Sequence, residues 1–428
     1  MFLTLEDPRA KIKGSRDPLG MQPIWSKFGR EVVTNLTTVT RAVRGFTVTL
    51  LGRYYGERLI EDERASEEDA VAIFLRLEQI AAYARRSSQS EHSTDSVLGI
   101  TRVERFFSEY NGKVPIRNDA TGYILSDQKT YGLWGLYSVA ARVSGLLAEG
   151  PVGLTARATE FVESEYLPHL QSNERKLVSL ILRGGILDTR RNQEPFRSMA
   201  KVLASELTEV ERDFYRSALR DARQVQRPTA AERQQQLAAL IVNHCEAATS
   251  LDRPAIEALS HAAGQNGSAS LAEKLQRILR LEATLATADT LFELVLARNG
   301  ASPATLAQHV QDHWGGHVPN LDSSIEPLLH EIQLAAGDEQ TNLLKRCDHA
   351  LSQGDYREAI ESLLEWNQVV MAGRGAAPWV RLTGGEIDVR FRGVESRMPT
   401  GDELPQLWRN SYFIDSLKGI AFQLEPKN

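Results

Sequence analysis

Three histidines, His309, His313 and His317, recur at intervals of four. On one continuous helix they would share a face and offer neutral imidazoles to a metal ion. Gly315-Gly316 interrupts that helix between the second and third, and no acidic residue stands where a zincin needs one. The competing reading is a set of helix-end histidines, placed where the dipole favours positive charge, and it needs no metal. The two thiols, Cys245 and Cys347, also lie close to histidines, in His244-Cys245-Glu246 and Cys347-Asp348-His349. Sequence neighbours on a helix diverge by about 100° and do not make a nucleophile–base pair. Inert thiols, unlinked by a disulfide, are therefore expected, in keeping with a reducing compartment.

Glu386-Ile387-Asp388-Val389-Arg390 alternates like a strand. An acidic residue and a basic residue two positions on would face one way, the arrangement that holds a metal and its water in a restriction-type nuclease. Arg stands where that chemistry wants Lys, and no acidic strand precedes it, so a solvated hairpin is the better reading. There is no Walker A loop, dinucleotide-binding glycine pattern, Gly-x-Ser-x-Gly or HExxH. No catalytic residue, metal or cofactor is assigned.

Charge is more informative. Arg212, Arg216, Arg220, Arg223 and Arg227 follow spacings of four, four, three and four. On one helix they form a stripe of roughly 22 Å at 1.5 Å per residue, long enough to track phosphates along a nucleic-acid strand. A solvated face laced by Glu209, Asp213 and Asp221 is the alternative. A second candidate is Tyr131-Gly132-Leu133-Trp134-Gly135-Leu136-Tyr137, followed by Arg142 and by Gly153-Leu154-Thr155. Two helices about a Gly-bounded turn would be winged-helix-like, with the aromatics and Arg142 on nucleic acid. Core packing of a small α/β block is the better reading.

These groups must be positioned by a mostly α-helical, multi-domain protein. The chain has 428 residues, 42% hydrophobic and 25% charged, with a net charge of −6. That mild charge argues against coating nucleic acid by global field, though local basic faces remain open. Only 11 of its 50 basic residues are Lys; Arg suits planar, bidentate contacts to phosphate or carboxylate. Met1 to Pro8 lack a basic region followed by an apolar one, and no run is long enough to cross a membrane. A cytoplasmic protein is expected.

Four segments follow from texture. Residues 1–86 hold a polar arm and helices, one with its apolar period running from Trp25 to Tyr54 and one opened by Ser66. A Ser-rich linker, 87–96, leads to a small α/β block at 97–170. Residues 171–371 are successive helices with start signals at Thr208, Thr229, Ser270, Ser302-Pro303 and Asp355. Residues 372–428 hold a β-hairpin with a Gly384-Gly385 turn and a closing helix from about Leu404 to Leu424. Strand is expected mainly within 97–155 and 379–392.

The segments Asp17-Pro18-Leu19-Gly20 through Thr37-Thr38-Val39-Thr40, Gly132 through Tyr137, and Trp408 through Leu417 resemble uncharacterised bacterial proteins of antiphage defence clusters. That resemblance covers about a third of the chain and brings no motif with an assigned role. It implies a bacterial subunit working beside an ATPase, helicase or nuclease. The leading expectation is a non-catalytic helical subunit of a DNA-handling assembly. The alternatives are a degenerate metal-dependent nuclease centred on the C-terminal hairpin, or a protein-interaction scaffold with no nucleic-acid role.

Overall fold

A computed structural model describes residues 17–86, 97–150, 152–190, 193–318, 321, 325–391 and 397–426. The linker expected at 87–96 and the arm at 1–16 lie outside them. In chain order the helices begin with α1 (Met21–Gly29), α2 (Val43–Glu61), α3 (Ala70–Arg86) and α4 (Ile100–Glu109), then strand β1 (Lys113–Ile116). Next come α5 (Gln128–Tyr131), α6 (Leu133–Val143), α7 (Ala156–Phe161), α8 (Leu167–Leu170), α9 (Glu174–Arg183) and β2 (Gly185–Asp188). They continue with α10 (Phe196–Leu203), α11 (Glu209–Tyr215), α12 (Pro228–His244), α13 (Arg253–Gln265), α14 (Ala269–Leu296) and α15 (Pro303–Trp314). The last are α16 (Leu329–Ala336), α17 (Asp338–Gln353), α18 (Tyr356–Gly373), β3 (Val380–Thr383), β4 (Glu386–Val389) and α19 (Ile414–Leu424). The protein is thus mostly helical, with two small antiparallel sheets. No described helix is long and apolar enough to cross a membrane.

Contacts divide the chain into two compact units, neither continuous in sequence. One is Met1–Val32 with Thr249–Tyr412, and the other is Val33–Ala248 with Phe413–Asn428. The divisions drawn from sequence texture, near 87–96, 170 and 371, fall inside these units.

In the Val33–Ala248 unit, α2 is buried along nearly its whole length because it packs on α3, α6 and α10. Two glycines allow that closeness. A Cβ at Gly45 would lie 2.4 Å from the Tyr137 ring, and one at Gly52 would lie 2.5 Å from the Phe74 ring. β1 pairs with β2 from Lys113↔Asp188 to Ile116↔Gly185, across α5 to α9, and β2 therefore lies beyond the stretch where strand was expected. No wing follows α6. Its turn closes with a single bridge, Leu147↔Leu154, and a 12-residue connection to α7, so the winged-helix-like reading gives way to core packing.

The helix expected from Pro23 to Tyr54 is two, α1 and α2, with 30–42 irregular between them. Thr and Asn side chains hold that segment out of the helix. Thr34 donates its N–H and hydroxyl to Gln234 Oε1 at 2.7 and 2.9 Å, and the Thr37 N–H reaches Thr40 Oγ1 at 2.8 Å. Such side chains compete with helical backbone bonding.

The Thr249–Tyr412 unit is built round α14, 28 residues buried on several sides by α1, α13, α17 and α18. α17 and α18 form a hairpin through Gly354, whose φ is +72° and whose Cβ would strike Gly316 O at 1.7 Å. The β3–β4 hairpin keeps the expected register, with Gly384 and Gly385 at φ 61° and 87°, both positive as a type I′ turn requires. The closing helix is shorter than expected and starts at Ile414. Tyr412 and Phe413 both take left-handed φ, and Glu282 of α14 holds the preceding chain. Its carboxylate accepts the N–H groups of Arg409 (2.6 Å) and Asn410 (2.9 Å), the Asn410 amide (3.0 Å) and the Tyr412 hydroxyl (2.8 Å). Burial still pushes its pKa up despite the four donors.

Candidate functional site

The arginine stripe does not exist as one face. α11 opens at Thr208 with the expected capping box, passes into a π-helical turn at Arg216–Arg220, and stops at Ala222, whose φ is +48°. Arg223 and Arg227 therefore leave the helix, and Arg227 is the N-cap of α12. The other three are spent inside the protein, with side-chain exposures between 15% and 22%. Arg212 pairs with Glu209 at 3.2 Å. Arg216 pairs with Asp213 and donates to Leu424 O at 3.1 Å. Arg220 reaches Asp221 at 2.8 Å and Glu425 at 3.2 Å. The Arg216 guanidinium thus caps the C-terminal end of α19, where carbonyls lack partners and the dipole is negative, while Arg220 holds the carboxylate of the residue just beyond it. Arg223 alone of these four is well exposed, at 66%, 3.4 Å from Asp221.

Beneath the segment lies a buried polar chain that sequence reading missed. Arg44 of α2 is ion-paired with Glu211 of α11, and donates to Ser205 O at 2.9 Å. Glu211 also accepts the Tyr166 hydroxyl (2.9 Å) and the Thr208 N–H (2.8 Å). Tyr166 continues to Tyr215 at 3.2 Å, and Tyr215 to Thr47 at 3.0 Å. Tyr166 closes one π-helical turn, Val162–Tyr166, and Tyr215 immediately precedes the other. Such turns often mark functional sites. Here burial drives both phenols far up in pKa, so they stay protonated and act as neutral links. The one signal in the sequence was the capping box, which located Glu211 without revealing its depth.

The exposed feature of this unit is α6. Leu133, Tyr137, Ala140 and Ala141 point inward, while Leu136, Val139 and Val143, spaced three and four apart, share the opposite face. Val139 is 54% exposed. Arg142 is exposed on the same outer side, 3.3 Å from Gly150 O. A Cβ at Gly145, just past the helix, would press on Gln224, so the Arg223 segment borders the C-terminal end of the face. Trp134 is turned away from it, under the Arg53 guanidinium at 3.5 Å. The helix starts on a buried carboxylate: Glu78 Oε1 accepts the Leu133 N–H at 2.6 Å, and Oε2 accepts the Gln128 amide at 2.9 Å. Burial raises the Glu78 pKa to about 7.

The remaining residues singled out for chemistry do not converge. α15 ends at Trp314, so His309 and His313 share a face, ring centroids 4.5 Å apart, while His317 lies beyond the helix. The His313 Nδ1 is 3.1 Å from the His309 carbonyl. Among the described residues no three His, Cys, Asp or Glu side chains are placed to hold a metal ion. Cys245 and Cys347 are not disulfide-bonded, and burial raises the Cys347 pKa far above its ordinary value. Asp388 faces Arg381 across the hairpin at 3.0 Å, in the solvated alternation expected. No family model, curated protein or solved structure matches this chain.

Proposed function

We propose that the chain is a non-catalytic helical subunit that docks on a protein partner through the outer face of α6. The observation that carries this reading is the exposed pair Val139 and Val143, continued by half-buried Leu136, on a helix whose opposite face is buried. Apolar patches rimmed by polar groups mark interaction sites. Arg142 and Arg223 stand at the rim, which favours a partner segment that is apolar with acidic flanks. The resemblance to antiphage defence proteins points to an ATPase, helicase or nuclease of a bacterial DNA-handling assembly as that partner. In this reading DNA contact belongs to the partner, because Arg212, Arg216 and Arg220 are engaged within the fold.

The test is co-expression with the protein encoded beside it. A Val139→Glu/Val143→Glu variant should keep the wild-type circular dichroism and lose co-purification. Undiminished co-purification of the folded double variant would remove α6 from the account. Duplex-DNA affinity of the isolated chain that falls with Arg142→Ala and Arg223→Ala, and flattens with salt, would return the site to nucleic acid.

A further inference from the structure

A cavity of about 390 Å³ lies between α14, α15 and the stretch 397–399, all within the Thr249–Tyr412 unit. Its lining includes Glu293, Arg298, His309, His313, Arg397 and Met398. The two histidines have ring centroids 4.5 Å apart. With metal–nitrogen bonds of about 2.0–2.1 Å, two imidazoles sharing one ion hold their centroids at roughly 4.5–5 Å, so the pair already has that spacing. The His313 Nδ1 lies 3.1 Å from the His309 carbonyl, to which it can only donate, and Nε2 is left with the free lone pair. Histidines that ligate metals make just this kind of bond through their other nitrogen.

Met398 is brought to the same place by its neighbours. The indole N–H of Trp314, one residue past His313, donates to the carbonyl of Pro399, one residue past Met398, at 3.0 Å. On the other side Glu403 holds Arg397 at 2.8 and 3.0 Å, and the same carboxylate accepts the Thr400 N–H at 2.8 Å. The thioether is thus carried on a stretch pinned at both ends.

The donor set decides the ion. Among the described residues no third His, Cys, Asp or Glu joins the pair, so the usual ligand set of zinc is not formed. Thioether sulfur draws soft ions, and cuprous copper is the softest of those that imidazole also binds. Charge points the same way. Arg298 and Arg397 line the cavity against one carboxylate, that of Glu293, which Arg409 holds at 2.8 Å. Two guanidinium groups oppose a monovalent ion half as strongly as a divalent one. We infer that this cavity binds one cuprous ion through the imidazoles of His309 and His313 and the Met398 thioether.

The test is anaerobic titration of the whole chain with cuprous ion supplied as its acetonitrile complex. Copper retained per chain is measured after gel filtration, and its ligation by X-ray absorption. Cys245→Ala serves as the parent, so that this thiol does not compete; Cys347 is wholly buried. The parent should retain one copper per chain and show copper–sulfur ligation. His309→Ala/His313→Ala should retain none, and its circular dichroism should be that of the parent, since His313 is exposed and His309 half-buried. Met398→Leu should bind copper about tenfold more weakly or worse, as even outer-shell changes can cost that much, and lose the sulfur signal. Its zinc affinity, which rests on the imidazoles, should stay that of the parent. A parent chain that keeps no copper overturns the site, and so does a His309→Ala/His313→Ala chain that keeps it. Met398→Leu with unchanged copper affinity and ligation overturns the thioether and with it the assignment to copper.

Discussion

The segment Arg212–Arg227 and the helix α6 belong to the same unit and reverse the usual placement of side chains. The first is strongly charged and turns three of its five guanidinium groups, those of Arg212, Arg216 and Arg220, inward, onto Glu209, Asp213, Glu425 and the end of α19. The second is mostly apolar and leaves Val139 and Val143 outside, with Leu136 half-buried beside them. A charged stripe in sequence suggests a ligand surface, and an apolar helix suggests a core. Here the charges stabilise the fold and the apolar face is left over for recognition. An exposed apolar stripe is the more informative departure, because burial of arginine with partners is a common structural device.

The largest effect expected from breaking the charged side is Glu211→Ala. It strands Arg44 as a buried cation and deprives Tyr166 and Thr208 of an acceptor. Loss of about 3–5 kcal/mol in urea denaturation is expected, since removing one partner of a buried pair leaves the other charge uncompensated. Removing Arg44 as well should recover part of it. A loss under 1 kcal/mol, about the worth of an exposed pair, would mean the pair is solvated and the inward reading is wrong.

Next comes the carboxyl under α6. The folded-state pKa of Glu78, about 7, lies above its ordinary value of 4.5. The unfolded chain therefore ionises first, and stability declines as pH rises from about 4.5 to 7 before levelling off, by about 3 kcal/mol at 1.36 kcal/mol per pKa unit. Glu78→Gln keeps an acceptor for Leu133 and loses the titration. Wild-type minus variant stability should fall across that window; parallel pH profiles would show that Glu78 ionises freely in the fold.

Smaller is the effect of Arg216→Ala/Arg220→Ala, roughly 1–2 kcal/mol, since partly buried cations at a helix C-terminus contribute on that scale. Amide exchange should speed up first in Ile414–Leu424. Unchanged exchange there, with gain or loss of DNA affinity, would restore the stripe to a surface role. Smallest is Val139→Glu/Val143→Glu, within about 0.5 kcal/mol of wild type, as for surface substitutions generally. Its effect should fall on partner binding alone, which is the sharpest form of the contrast.

Much of the local structure was legible because its causes are local. The Ser66 and Thr208 capping boxes, the Ser302 and Asp355 caps and the Gly384-Gly385 turn depend on residues a few positions apart. Thr229 and Ser270 fit the same pattern and fail. Pro228 already starts α12 behind Arg227, and α14 starts at Ala269 behind Ser268. The break at 30–42 depends on Gln234, and β1 on partners 69 to 75 positions away along the chain, which no window reveals. The arginine spacing was sound arithmetic on a helix that ends early, because Ala222 turns left-handed. The α6 face was written in Leu133–Val143, apolar but for Ser138 and Arg142, but only packing tells which side is left bare.

The helix that Arg216 caps, and that Arg220 ties down through Glu425, is separated in sequence from the rest of its unit by the whole of Thr249–Tyr412. A ribosome adding about 5–20 residues per second delivers Val33–Ala248 well before Ile414–Leu424 emerges. During that interval the nascent unit waits with the docking surface on α12 and two guanidinium groups bare, and it closes only once Ile414–Leu424 has been made. Completion of this unit therefore waits on Ile414–Leu424: a chain interrupted before that helix has made the others of the unit and cannot shut it.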